Sequence, residues 1–133
     1  MSILLDASYF LALLNQDDVH HPRAREIAVK IDEQSYGIPF TTDHILDETI
    51  SVALRKWGKE RAIYCGTYVL KTVQLVVSDE HFIQQSWKLF QETKLQLSFT
   101  DCLNVMVCQA FQSKYIATFD KEFKRVPSLQ IIN

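Results

Sequence analysis

Two aspartates fall at the ends of strands and a third at the start of a helix. Asp6 follows the apolar run Ser2-Ile3-Leu4-Leu5, Asp101 follows Ser98-Phe99-Thr100, and Asp120 closes Tyr115-Ile116-Ala117-Thr118-Phe119. A fourth acid comes from the helical stretch after Thr42-Asp43, where Asp47 and Glu48 are equally good candidates on the helical wheel. Singly, each has an ordinary structural explanation. Aspartate is a favoured helix cap, Ser98-x-x-Asp101 fits a loose capping box, and a helical Glu usually faces water. Together they imply chemistry. Four carboxylates drawn into one place repel and cannot all ionise unless cations neutralise them. Oxygen-only ligation of that kind suits Mg²⁺ or Mn²⁺, hard ions that keep several waters and bridge to substrate phosphates.

Convergence of four such remote positions needs a particular scaffold. In α/β folds the ligand crevice lies outside the carboxyl ends of the strands, where the following helices begin. The pattern supplies that scaffold, because strands alternate with helices along the chain. Strands are expected at 2–5, 37–40, 72–77, 115–118 and 129–132. Pro39 suits an edge or a strand terminus better than a sheet centre. Helices are expected from Tyr9 to Leu14, from His21-Pro22 to about Gln34, from Thr42-Asp43 to Trp57, over 59–71, after Ser78-Asp79-Glu80, and from Asp101 onward. A helical turn is expected over 121–125. Gly58 would end the third helix. That helix should turn Leu46, Ile50, Ala53, Leu54 and Trp57 inward, and the fifth should bury Ile83, Trp87 and Phe90. The expected architecture is a three-layer α/β domain with a mainly parallel sheet, one domain over residues 1–133.

Composition narrows the function. The chain has 133 residues and is 47% hydrophobic, 23% charged, with three Gly and three Pro, which leaves little room for linkers. A net charge of −2 argues against coating nucleic acid by bulk electrostatics, though not against chemistry on it. Cys65, Cys102 and Cys108 lie in apolar helical contexts without metal-ligand spacing and read as buried thiols of a reducing compartment. No apolar run reaches membrane-spanning length, and MSILLDASYF lacks the basic flank and cleavage site of a signal peptide, so a cytoplasmic protein without a membrane partner is expected.

At this point the chain resembles the PIN-domain family, which includes the VapC-type toxin ribonucleases. The resemblance rests on ILLDAS at 3–8, TTDHILDETISVAL at 41–54, LSFTDCLNVMV at 97–107 and ATFDKEF at 117–123, in that order. It implies a five-stranded parallel sheet and metal-dependent cleavage of RNA. It also selects Glu48 over Asp47, making Asp6, Glu48, Asp101 and Asp120 the acidic cluster. Asp6, Asp101 and Asp120 would hold one or two Mg²⁺ or Mn²⁺, with Glu48 completing the cluster or orienting the attacking water. Ser8 and Thr118 match the family's small polar and hydroxyl positions and would support the acids by hydrogen bonds. The implied partners are RNA, an antitoxin protein if the chain is half of a toxin–antitoxin pair, and a second copy in a homodimer or higher oligomer.

Basic residues carry two readings. Arg55, Lys56, Lys59 and Arg61 form a solvated helix end or contact RNA phosphates, and Lys121, Lys124 and Arg125 carry the same pair. His20 and His21 lack spaced partners for zinc, and His21 reads as a cap or loop residue. Tyr64, Tyr68 and Phe82 read as core or subunit interface. Two rivals are weaker. A phosphatase with a strand-end Asp nucleophile wants Asp-x-Asp, and here Asp6-Ala7-Ser8 stands instead. A catalytically silent PIN module binding RNA or a protein would not need all four acids.

Overall fold

The structure, a computed structural model, describes the backbone of residues 1–133 and every side chain except those of Glu122 and Lys124. Five parallel strands form one sheet in the order β3-β2-β1-β4-β5, with β1 at Ser2–Leu5, β2 at Ile38–Thr42, β3 at Gln74–Val76, β4 at Tyr115–Ala117 and β5 at Gln130–Ile132. The central β1 is Ile3-Leu4-Leu5, all buried, as a strand covered on both faces requires. Pro39 does lie near a strand start, but β2 is internal. Its missing N–H is tolerated because β3 begins opposite Phe40, so Pro39 pairs on the β1 side alone.

Six α-helices flank the sheet: α1 (Ala7–Leu13), α2 (His21–Asp32), α3 (Asp43–Trp57), α4 (Lys59–Thr72), α5 (Glu80–Glu92) and α6 (Phe99–Ala110). Helices α1 to α4 pack as one set, and α5 packs on α6. A 3-10 turn at Lys121–Arg125 precedes β5. Thr42 caps α3 by accepting from the Ile45 N–H, and Asp79 caps α5 by accepting from the Phe82 N–H. Gly58 joins α3 to α4 at φ +90°, a conformation that a side chain would disfavour.

Two helical faces differ from expectation. Helix α3 fully buries Ile45, Thr49 and Ala53 and half-buries the expected Leu46, Ile50 and Trp57 against the core, so that of the expected face only Leu54 points out, 47% exposed. The reason is that α4 covers only part of the apolar stripe. Helix α5 fully buries only Ser86, whose hydroxyl bonds to the Phe82 carbonyl; Ile83, Trp87 and Phe90 are 41–49% exposed. Phe82 and Leu89 carry the contact of α5 with the core, while Trp87 and Phe90 stack on each other and meet the edge of Phe99 from α6.

Helix α2 buries Ala24, Ile27 and Ile31. His21 is its first residue and not a loop residue, and its Nδ1 lies 2.9 Å from the Ala12 carbonyl oxygen, tying α2 to α1. Arg61 is exposed in the first turn of α4 but is also engaged. It donates to the Leu14 carbonyl oxygen and lies over the rings of Trp57 and Tyr64. The three cysteines are buried and unpaired by disulfides, and burial pushes the Cys108 thiol up to about 12, which leaves it inert. Among the described residues, no helix is long and apolar enough to cross a membrane.

Candidate active site

All five strands point the same way, so their carboxyl ends make one rim. The β1–β4 register pairs Leu5 with Ala117, and the next residues, Asp6 and Thr118, therefore leave the sheet side by side. The Asp6 N–H donates to the Ala117 carbonyl at 3.1 Å, fixing this exit. Asp6 occupies the cap position of α1, yet its side chain makes no capping bond there. Capping, the ordinary explanation for a strand-end Asp, does not account for this one.

Its carboxylate is held from across the chain instead. The buried Thr118 hydroxyl donates to Asp6 Oδ2 at 2.7 Å. Thr118 Oγ1 in turn accepts from the Asp120 N–H at 3.0 Å and lies 3.0 Å from Ser8 Oγ. Since the Thr118 proton points to Asp6, the Ser8 hydroxyl shares its own proton between Thr118 Oγ1 and Asp6 Oδ2, the latter at 3.4 Å. Ser8 Oγ also accepts from the Phe119 N–H at 2.9 Å. Ser8 and Thr118 thus form one directed network that fixes Asp6 and the backbone leading to Asp120.

Asp101 does form a capping box. Its N–H donates to Ser98 Oγ at 3.1 Å, and its Oδ2 accepts from the Ser98 N–H at 2.9 Å. The capping and functional readings of this residue coexist, because the cap orients the carboxylate and the same residue lines the acidic cleft. That cleft, about 420 Å³, is lined by Asp6, Glu48, Asp101 and Asp120 together with Gln96, Ser98, Thr100 and Asn104. Glu48 reaches it from the second turn of α3. Asp47 points elsewhere, is exposed, and accepts from the Ser51 hydroxyl one turn on.

The acids feel one another. Burial is the main force raising the Asp6 carboxyl above its ordinary value; the Thr118 bond and then the Ala7 backbone N–H oppose it, and the charges of Asp120 and Asp101 raise it further. Glu48, exposed at the mouth, is also raised, first by partial loss of water and then by Asp6, Asp101 and Asp120. Among the described residues, no three His, Cys, Asp or Glu side chains close into a metal cage. The donor set still fits a hard divalent cation. It is oxygen-only, acidic and mutually repulsive, and Mg²⁺-type ions need only one or two carboxylates beside their waters.

Asn104 was absent from the sequence-derived set, although its position one helical turn after Asp101 was the available signal. It is buried, and its Oδ1 accepts from His44 Nε2 at 2.8 Å. On the other side of the ring His44 Nδ1 lies 3.2 Å from Ser78 Oγ. Of the basic candidates, Lys56 lines a groove beside the cleft, while Arg55 and Lys121 are exposed at the end of α3 and the start of the 3-10 turn. Arg125 is exposed; the Lys124 side chain lies outside the described residues. Tyr68 and Phe82 pack against the core, and Tyr64 is 52% exposed under Arg61. A wider hollow of 770 Å³, between Leu14, His21, Trp57, Arg61 and Tyr64, contains none of the four acids.

A family model of the PIN domain matches residues 3–129, nearly the whole chain. The chain belongs to the PIN-domain family. It is 26% identical over 125 residues to a VapC ribonuclease of Archaeoglobus fulgidus, covering 92% of this chain and 80% of that protein. It is also 26% identical over 136 residues to the 23S rRNA-specific endonuclease VapC20 of Mycobacterium tuberculosis, covering 97% of each. The crystal structure of VapC20, described as a sarcin-ricin loop cleaving toxin, superposes with a TM-score of 0.81 at 23% identity over 94% of this chain and 95% of that one. VapBC2 from Rickettsia felis, solved bound to a DNA fragment from its promoter, superposes with a TM-score of 0.74 at 16% identity, covering 98% and 97%. The last two likenesses speak to the fold, which is that of the PIN domain.

Proposed function

We propose that this PIN-family chain is an endoribonuclease that cleaves RNA phosphodiester bonds with Mg²⁺ or Mn²⁺ bound by Asp6, Asp101 and Asp120. The observation that carries the reading is the cleft itself, where four acids from β1, α3, α6 and the end of β4 share one space. When bound, the cation supplies charge neutralisation at the scissile phosphate and lowers the pKa of water.

The chain's own residues do the rest. Thr118 and Ser8 hold Asp6 Oδ2 in one orientation, and the Ser98 cap does the same for Asp101. Glu48, with its carboxyl raised above the ordinary value, is suited to take a proton from the attacking water at the cleft mouth. His44 orients the Asn104 amide toward the same space. Arg55, Lys56 and Lys121 contact RNA phosphates flanking the acids. In this reading residues 1–133 act as one cytoplasmic unit, self-associate, and are the toxin of a toxin–antitoxin pair; the likeness to VapC ribonucleases supports that role. The test is end-labelled single-stranded RNA incubated with protein and Mg²⁺ or Mn²⁺. Products with 5′-phosphate and 3′-hydroxyl ends that vanish with EDTA support the proposal, and intact RNA under every metal overturns it.

A further inference from the structure

Beside the acidic cleft lies a second groove of about 380 Å³, in the size range of small-ligand sites. The two are joined through one bonded pair. Ser8 and Phe119 line the groove, and Ser8 Oγ accepts the Phe119 N–H while standing 3.4 Å from Asp6 Oδ2. Whatever occupies the groove is therefore a neighbour of the acids.

Its lining is mixed in a specific way. His20 stacks flat on Phe119, with ring centroids 4.4 Å apart and planes 5° apart, and both rings border the groove. The His20 backbone is fixed, since its N–H donates to Asp18 Oδ1 at 2.8 Å, which also engages the nearest carboxylate of the lining. Trp57 and Val52 of α3 add an apolar wall, and Lys56 adds a cation. Flat rings with an apolar wall suit a planar heteroaromatic group, and a neighbouring ammonium suits a phosphate attached to it.

We propose that this groove is a nucleobase subsite, which takes one base of the RNA next to the scissile phosphate, with Lys56 on the adjoining backbone phosphate. The proposal rests on the ribonuclease reading. Stacking on His20 and Phe119 would set which nucleotide is positioned beside the cut, whereas Lys56 would contribute affinity without choosing among bases. Neither His20 nor Lys56 belongs to the acidic cleft, and both are exposed, so each can be replaced without disturbing the fold.

The experiment has two arms. In the first, wild type, His20→Ala and Lys56→Gln cleave a single-stranded RNA library randomised around the cut. His20→Ala should raise KM about tenfold and flatten the base preference at one position beside the cut, with kcat on saturating substrate retained. Lys56→Gln should weaken all sequences alike and lower the salt dependence of binding by about one ion. Wild-type KM and preference in both variants would overturn the proposal.

The second arm needs no cleavage and so separates failure of the subsite from failure of the nuclease reading. Trp57 and Trp87 are the two tryptophans, and a Trp87→Phe background leaves Trp57 as the reporter. With EDTA present, short RNA should change Trp57 fluorescence. An RNA with one abasic position should bind about tenfold more weakly in one register. His20→Ala should erase that difference. Equal binding of abasic and intact RNA would overturn the subsite even if cleavage is observed, and a base-dependent signal would support it even if none is.

Discussion

Thr118 and Asp6 are 112 positions apart in sequence, yet the Thr118 hydroxyl donates to Asp6 Oδ2 at 2.7 Å inside the fold. The β1–β4 register makes them neighbours, and this bond is what separates Asp6 from an ordinary helix cap. Replacing Thr118 by Val keeps the shape and removes the donor. It leaves a buried carboxylate oxygen and the Asp120 N–H without that partner, so unfolding in urea should show a loss of about 1–3 kcal/mol. Cleavage should fall by about 10–100-fold, while Thr118→Ser restores most of both.

Metal-free stability should depend on pH in a direction set by Asp6 and Glu48. Both are raised in the folded protein, from ordinary values of 3.8 and 4.5. The native state then holds more protons than the unfolded chain across the interval, so stability falls as pH rises from about 4 through the raised values. Asp6→Asn removes the larger burial cost. In EDTA the variant should therefore lose less stability than wild type between pH 4 and 7. Saturating Mn²⁺ should shrink that gap by binding wild type preferentially. Parallel urea titrations across this range check it, and identical slopes would show that Asp6 is not under charge strain.

Much of this arrangement was legible in the chain. All five strands and six helices were marked by apolar runs and caps, and Asp6, Asp101 and Asp120 announced themselves at element ends. Their common rim followed from parallel strands. Glu48 was not separable from Asp47 by helical period, because Glu48 lies opposite Leu46 and Asp47, 100° round the wheel, is as good a candidate for a polar face; the family resemblance chose Glu48, which lines the cleft. Asn104 and His44 were missed because a buried amide in an apolar helix looks like a packing residue until its partner, 60 positions away, is seen. Leu54 on α3 and Ile83, Trp87 and Phe90 on α5 stand more exposed than expected for another reason. Periodicity reports an apolar stripe but not whether a neighbour covers it.

Glu48 and Asp47 now make a clean comparison. Glu48→Gln keeps size and helix propensity while removing a proton acceptor at the cleft mouth, and cleavage should drop by about a hundredfold or more. Asp47→Asn touches only an exposed bond with Ser51 and should leave the rate within about twofold. Single-turnover rates with matched metal decide it, and equal losses would place the register of α3 in error.

His44→Ala tests the support beneath Asn104. The buried Asn104 oxygen loses the donor at 2.8 Å, so stability should fall by about 1–3 kcal/mol. The acids themselves stay in place. Metal binding, followed by calorimetry, should consequently change less than in Asp6→Asn, even where the cleavage rate declines.

The central claim is that RNA is cut at the acidic cleft, with cations held by its carboxylates. The most direct measurement compares cleavage of one single-stranded RNA by wild type, Asp6→Asn and Asp120→Asn, purified identically, in Mn²⁺ and in EDTA. Wild type should cut only with the cation. Both variants should lose most of the activity yet bind the RNA as well or more tightly, because negative charge facing the phosphates has been reduced. Equal cleavage by wild type and Asp6→Asn, or cleavage that persists in EDTA, would contradict the account.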